Sequence, residues 1–217
     1  MLFRTISTNT KVSTVRSFSE ANLSQDSQWE VSEAELNHNL STMEETLRNI
    51  KAFVFDVDGV FTDGGILADV NGELYRTFDS KDSMAVRMAS MKGYHLAVIS
   101  GGRSESIRQR FLTCGLKSDD IYLGSRAKIE DFEAFCLKHG LKAEEVMYFG
   151  DDLPDIPVMQ ACGCGVCPCD AADEVLEIAD YITVKPGGKG SVREALTLVM
   201  KMQGKWELDV QEYKRKF

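Results

Sequence analysis

The sequence predicts an α/β protein, a doubly wound parallel sheet with a β-hairpin inserted after its first strand. Three observations predict it. From Ala52 onward, short apolar runs alternate with amphipathic segments, as strands alternate with helices in parallel sheets. The first run, Phe53-Val54-Phe55, stops abruptly at Asp56-Val57-Asp58-Gly59, and the carboxyl ends of parallel strands are where such folds build their sites. Further polar clusters follow later strand ends in chain order.

The elements follow from local pattern. Residues 1–32 are polar and rich in Ser and Thr; Arg4, Lys11 and Arg16 occur there with no acid in the first 19 residues. That composition resembles a transit peptide, but the helical periodicity is poor, and a disordered segment or leader is expected. Over 33–50, Leu36, Leu40, Met43, Leu47 and Ile50 recur at helical spacing, with acids at the start and Arg48 near the end, predicting an amphipathic helix. The main domain spans 51–205. Strands are expected at 52–56, 95–100, 146–150, 164–167 and 181–184, and helices at 82–92, 104–114, 127–139, 154–161, 172–178 and 190–203. Ile66–Val70 and Glu73–Phe78 flank Asn71-Gly72, a type I′ hairpin signal. Residues 206–217 read as a tail.

A length of 217 residues suits one domain plus tails, and 43% apolar residues is ordinary for a globular chain. A net charge of −9 argues against nucleic-acid or anionic-membrane partners, so an anionic substrate needs a local positive pocket or a metal. No apolar window is long enough for a transmembrane helix, and no secretory signal opens the chain. The six cysteines do not force a disulfide framework. Four of them crowd into Cys162-Gly163-Cys164-Gly165-Val166-Cys167-Pro168-Cys169, which has a zinc-like look but coincides with a short strand and turn; core packing is the better reading. His38, His95 and His139 show no shared spacing, and Met84, Met88 and Met91 mark a helix face.

The chemistry lies at the strand ends. Asp56 and Asp58 repel each other unless a cation lies between them, and hard oxygen ligands suit Mg²⁺. Ser100-Gly101-Gly102-Arg103 offers a hydroxyl and backbone N–H groups at a helix start, a cradle for an anion. Lys128 opens a helix where a phosphate-binding cation is needed. Gly150-Asp151-Asp152-Leu153-Pro154-Asp155 supplies the acids that complete a metal cage with Asp56 and Asp58.

This ordered set, Asp-x-Asp-Gly-Val-x-Thr-Asp-Gly, Ser-Gly-Gly, Lys, then Gly-Asp-Asp-x-x-Asp, resembles the four motifs of the haloacid dehalogenase superfamily over about residues 50–205. The resemblance implies a Rossmann-like core and phosphoryl transfer, with Asp58 pointing to the phosphatase branch. Asp56 is then the nucleophile and Asp58 the acid and base. Mg²⁺ is held by the Asp56 side chain, the Asp58 carbonyl and Asp151, with Asp152 and Asp155 behind them. Ser100, Gly101 and Lys128 hold the phosphoryl oxygens.

The segments between motifs leave no room for a cap domain, because the hairpin, one helix and one strand fill the forty or so residues from Asp58 to Ser100. The capless layout and Gly187-Gly188-Lys189-Gly190-Ser191-Val192-Arg193-Glu194 resemble the 3-deoxy-D-manno-octulosonate 8-phosphate phosphatases of lipopolysaccharide sugar synthesis. That resemblance implies a cytoplasmic, Mg²⁺-dependent phosphomonoesterase acting on a sugar-acid phosphate. It also implies a homotetramer whose hairpins meet in a central barrel. It nominates Arg76, Lys81, Asp82, Arg103 and Arg110 as substrate-binding residues. Lys81-Asp82-Ser83-Met84-Ala85 stands where that family usually has Arg-Asp-Gly-Tyr-Gly, and Gly102 stands where it often has Arg. A nonulosonate 9-phosphate is therefore the alternative substrate. Two other readings are a receiver-like phospho-acceptor module without turnover and a regulatory domain of a sugar-nucleotide synthetase. The placement of both Asp56 and Asp58 after the first strand disfavours the former, and the lack of a nucleotidyltransferase segment the latter.

Overall fold

The computed structural model describes residues 33–217; the segment 1–32, expected to be a disordered or leader segment, lies outside them. Helix α1 (Glu33–Asn49) leads into β1 (Ala52–Phe55), four consecutive buried residues. A hairpin of two short strands, β2 (Leu67–Ala68) and β3 (Leu74–Tyr75), precedes α2 (Ser80–Met91) and β4 (His95–Ser100). Then come α3 (Glu105–Leu112), β5 (Ile121–Leu123), α4 (Lys128–His139), β6 (Val146–Phe149) and α5 (Ile156–Ala161). The chain continues through β7 (Cys164–Cys167), α6 (Asp173–Ile178), β8 (Tyr181–Ile182), α7 (Ser191–Met202) and α8 (Val210–Lys216).

Six strands form one all-parallel sheet in the order β5-β4-β1-β6-β7-β8. Alternation along β1 splits the core: Phe53 and Phe55 join a cluster with α1, α2, α3 and α7, whereas Ala52 and Val54 face α4, α5 and α6. Both faces are covered, which is why these strands read as unbroken apolar runs. Burying Phe53 and Phe55 completely stabilises the fold by about 2–3 kcal/mol each. The same burial puts the ends of β4, β1 and β6 side by side at one edge of the sheet.

Several elements differ from the sequence-based expectation. Strand β5 was not foreseen: three residues at a sheet edge, after Asp119-Asp120, are too few to show a period. Helix α2 begins two residues early, because Asp79 caps it by accepting from the N–H groups of Lys81 and Asp82. Pro154 lies in a 3₁₀ turn, Leu153–Asp155, ahead of α5. The hairpin turn is not the two-residue type I′. Oδ1 of Asp69 accepts from the N–H groups of Asn71 (2.8 Å) and Glu73 (3.0 Å), and its carbonyl accepts from Gly72 (3.1 Å). The loop is thus Val70-Asn71-Gly72, with Gly72 at φ 82°, a type I turn closed by a left-handed residue. Segment 206–217 includes a helix, α8, where a tail was expected: Arg87 donates to Tyr213 Oη at 3.0 Å and lies over the Phe217 ring, fastening α8 to α2. Cys164 and Cys167 are buried on β7, Cys162 Sγ donates to the Met159 carbonyl, and none of the six cysteines is in a disulfide.

Candidate active site

The loop after β1 is pinned on every side. The Asp56 N–H donates to the Phe149 carbonyl at 2.9 Å, and buried Thr62 accepts from Gly59 and Gly64, each at 3.2 Å. Gly59 has φ 81°, and a Cβ there would collide with the Asp151 carboxylate. Behind the loop, a Cβ on Gly187 would collide with the Gly59 carbonyl, and the Gly188 N–H donates to Val60 O at 3.0 Å. The loop is therefore held between Asp151 on one side and the chain entering α7 on the other.

A cavity of about 390 Å³ opens over the sheet edge. It brings together Asp56, Asp58, Ser100, Gly101, Lys128, Asp151, Asp152 and Asp155, all singled out from sequence. Lys128 Nζ lies 3.1 Å from Asp56 Oδ1 and 2.7 Å from Asp155 Oδ1. Burial works against the Lys128 ammonium, but Asp56 and Asp155 outweigh it and hold the group above the usual lysine range. Asp56 is pushed well above the ordinary carboxylate range, first by burial and then by Asp155, with Lys128 opposing. Burial, then Asp155, pushes Asp151 up to about 7.

Oxygens of Asp56, Asp151 and Asp155 lie within 4.8 Å of one another. Hydrogen bonding separates their roles. Asp155 is saturated: Oδ1 accepts from Lys128 (2.7 Å) and Tyr148 Oη (2.6 Å), and Oδ2 from the N–H groups of Asp151 (3.1 Å) and Asp152 (3.3 Å). Asp151 Oδ1 is buried without a hydrogen-bond partner. A buried anionic oxygen with no donor, beside a second raised carboxylate, fits a divalent cation held through oxygen. Asp56 and Asp151 are the side chains free to hold it, and Asp155 is their support. Asp152 is exposed and accepts from the Leu153 N–H at the cavity edge.

The residues nominated for the sugar are not gathered in the same way. Asp82 is fully buried, its carboxyl pushed up to about 6 by burial, and it accepts from the N–H groups of Gly190 (3.1 Å) and Arg193 (2.7 Å); it fastens α7 and cannot touch a substrate. Lys81 is exposed and does not line the cavity. Arg110 is half-buried, bonded to Ser83 Oγ and stacked over Phe78, outside the cavity lining. Arg103 is exposed and lies against Gly124. Arg76 spends its guanidinium on Asp58: Nε reaches Oδ1 at 2.6 Å and Nη2 reaches Oδ2 at 2.9 Å. Gly64, Gly102 and Pro154 of the motif segments also line the cavity, as do Ser125 and Arg126, which sequence reasoning missed. It also missed Tyr148, although a tyrosine inside an apolar strand needs a partner for its hydroxyl.

A parallel sheet with a two-aspartate loop after β1, a Ser-Gly cradle after β4, a lysine opening α4 and an acidic loop after β6 defines a hydrolase of the haloacid dehalogenase class. A family profile described as haloacid dehalogenase-like hydrolase matches residues 105–196. The 3-deoxy-D-manno-octulosonate 8-phosphate phosphatase of Haemophilus influenzae is 35% identical over 163 residues, covering 75% of this chain and 89% of that protein. The chain belongs to the 3-deoxy-D-manno-octulosonate 8-phosphate phosphatase family. A haloacid dehalogenase superfamily (subfamily III A) hydrolase from Legionella pneumophila superposes with a TM-score of 0.78 at 31% identity, over 84% of this chain and 99% of that one. The Moraxella catarrhalis phosphatase, solved in complex with magnesium ion, phosphate ion and a KDO molecule, gives 0.73 at 30% identity, over 76% and 94%.

Proposed function

We propose that this chain is a Mg²⁺-dependent phosphomonoesterase that releases phosphate from 3-deoxy-D-manno-octulosonate 8-phosphate. The observation that carries the chemistry is the juxtaposition of Asp56, Lys128 and the unpartnered oxygen of Asp151 in one cavity. Family membership and the KDO-bound Moraxella relative support the substrate.

Asp56 is the nucleophile. Its carboxylate attacks phosphorus, the ester P–O bond breaks, and the departing alkoxide takes a proton from Asp58. Asp58 then takes a proton from the water that attacks the aspartyl-phosphate, and the bond to Asp56 breaks to free phosphate. Ser100, Gly101 and Lys128 hold the phosphoryl oxygens; the Ser100 hydroxyl is oriented by accepting from the Gly102 N–H at 3.1 Å. Asp56, Asp151 and the Asp58 carbonyl would hold the magnesium ion, which would supply charge neutralisation to the reaction. Asp152 and Asp155 support that cluster. Arg103 and Arg126, at or near the rim, offer positive charge to the anionic sugar.

The same reading includes a homotetramer. Ile66, Leu67, Val70 and Tyr75 of the hairpin are exposed, and a ribbon of two-residue strands is marginal without a partner. Sedimentation would show four chains, and Leu67→Asp would shift the species toward monomer. Among the described residues no helix is long and apolar enough to cross a membrane, and cysteines without disulfides suit the reducing cytoplasm where we place the enzyme.

The test is phosphate release with Mg²⁺ from the octulosonate 8-phosphate beside nonulosonate 9-phosphates. Preference for the former supports the reading. Preference for the latter moves it to the alternative sugar, and a stable phosphoprotein without turnover would replace it with the acceptor module.

A further inference from the structure

Arg76 leaves β3 directly and turns inward. Its side chain is 2% exposed, and its fork takes both oxygens of Asp58, through Nε at 2.6 Å and Nη2 at 2.9 Å. The remaining nitrogen, Nη1, reaches the Leu74 carbonyl at 3.4 Å. Nη2 also abuts Gly102, where a Cβ would lie 3.2 Å away, so a side chain at 102 would crowd the guanidinium. Each guanidinium nitrogen thus bonds within the protein, and the side chain is closed off from the solvent. Asp58, by contrast, is 28% exposed at the wall of the cavity.

We propose that Arg76 is a positioning residue for the reaction: it fixes the plane of the Asp58 carboxylate so that the lone pairs it leaves free face the leaving oxygen. This rests on the reading of Asp58 as proton donor and acceptor. A bidentate fork defines both the direction and the rotation of a carboxylate, which a lysine cannot do. An acid acting at an open site needs that definition, because proton transfer requires an approach of about 2.6–3.2 Å and a misplacement of about 1 Å costs on the order of 100-fold. A residue acting only through Asp58 has a distinctive kinetic signature. It affects the step in which an alkoxide must be protonated and the step in which water must be deprotonated. It does not affect departure of a phenolate that leaves without a proton.

The experiment compares Arg76→Met and Arg76→Lys, each alone and with Asp58→Asn, on the sugar-acid phosphate and on p-nitrophenyl phosphate with Mg²⁺. Expected for Arg76→Met is a kcat about 100-fold lower on the sugar-acid phosphate with KM within about twofold. On the aryl ester the first-turnover burst of nitrophenolate keeps its rate to within about threefold, while steady turnover falls. In the Asp58→Asn background the Arg76 substitution adds nothing, and Arg76→Lys recovers part of the kcat. Losses that multiply in the Asp58→Asn background, or a raised KM at unchanged kcat, would overturn the proposal by making Arg76 a direct substrate contact. Should Arg76→Met melt at the assay temperature, the lysine variant carries the same comparison. Should the wild type turn over the aryl ester without a burst, formation of the aspartyl-phosphate limits that substrate, and the coupling of the two substitutions in kcat on the sugar-acid phosphate decides the role of Arg76.

Discussion

Lys128 and Asp155 form a buried ion pair, Nζ to Oδ1 at 2.7 Å, with side chains 7% and 0% exposed. The pair links the helix that follows β5 to the loop that follows β6, and Asp56 Oδ1 lies 3.1 Å from the same ammonium. Removing one partner of such a pair leaves an uncompensated buried charge.

Lys128→Met is therefore expected to destabilise the fold by about 3–5 kcal/mol, read by urea unfolding. It should also lower kcat at least about 100-fold, since it removes a charged donor from the phosphoryl oxygens. Full activity in a folded variant would remove Lys128 from the site.

Asp56→Asn should abolish phosphate release while the protein stays folded. Because burial and Asp155 disfavour the Asp56 carboxylate, the variant without metal should melt above wild type at pH 8. Added Mg²⁺ should raise the melting temperature of wild type and leave the variant nearly unmoved. Thermal scans with and without chelator check both statements.

The pH dependence has a definite sign. The folded Asp151 carboxyl titrates at about 7 and Asp82 at about 6, each above the ordinary 3.8. In that window the folded chain holds protons that the unfolded chain has released, so metal-free stability falls as pH rises from about 4 to 7 and is lowest above the folded values. Mg²⁺ competes with the proton for Asp151 and for Asp56, both raised, so its affinity should rise with pH through about 7. Calorimetric titration of Mg²⁺ at pH 5.5, 6.5 and 8 tests this; an affinity that ignores pH would refute it.

Asp82→Ala should cost about 2 kcal/mol by freeing the N–H groups of Gly190 and Arg193, with KM unchanged because the side chain is buried away from the cavity. A raised KM with unchanged stability would return Asp82 to the substrate site.

The sheet and the reacting groups were legible in the sequence because each had a local signature. Phe53-Val54-Phe55 declares a buried strand by its composition, and Asp56 and Asp58 declare a site by breaking it. What stayed hidden depends on tertiary pairing. Asp155 looks like one more acid beside Asp151 and Asp152, yet its two oxygens meet groups from β6 and α4 and from its own loop. Arg76 carries the right charge for a sugar acid, and Asp82 the oxygens to accept from its hydroxyls; only the folded chain shows that one is spent on Asp58 and the other on α7. The hairpin turn was misjudged because Asn71-Gly72 is a strong two-residue signal, whereas Asp69, which sets the longer loop, lies outside the dipeptide.

Gly59 and Gly187 have a consequence for inheritance. Gly187 lies behind the loop, on the side away from Asp151, yet any side chain there pushes on the backbone of Gly59 and, through it, on Asp151. In a random-mutagenesis screen for lost turnover, codon 187 should therefore tolerate as little as the codons for the acids themselves. A map of intolerant positions would then outline the rear wall of the active loop as well as the groups that meet the substrate.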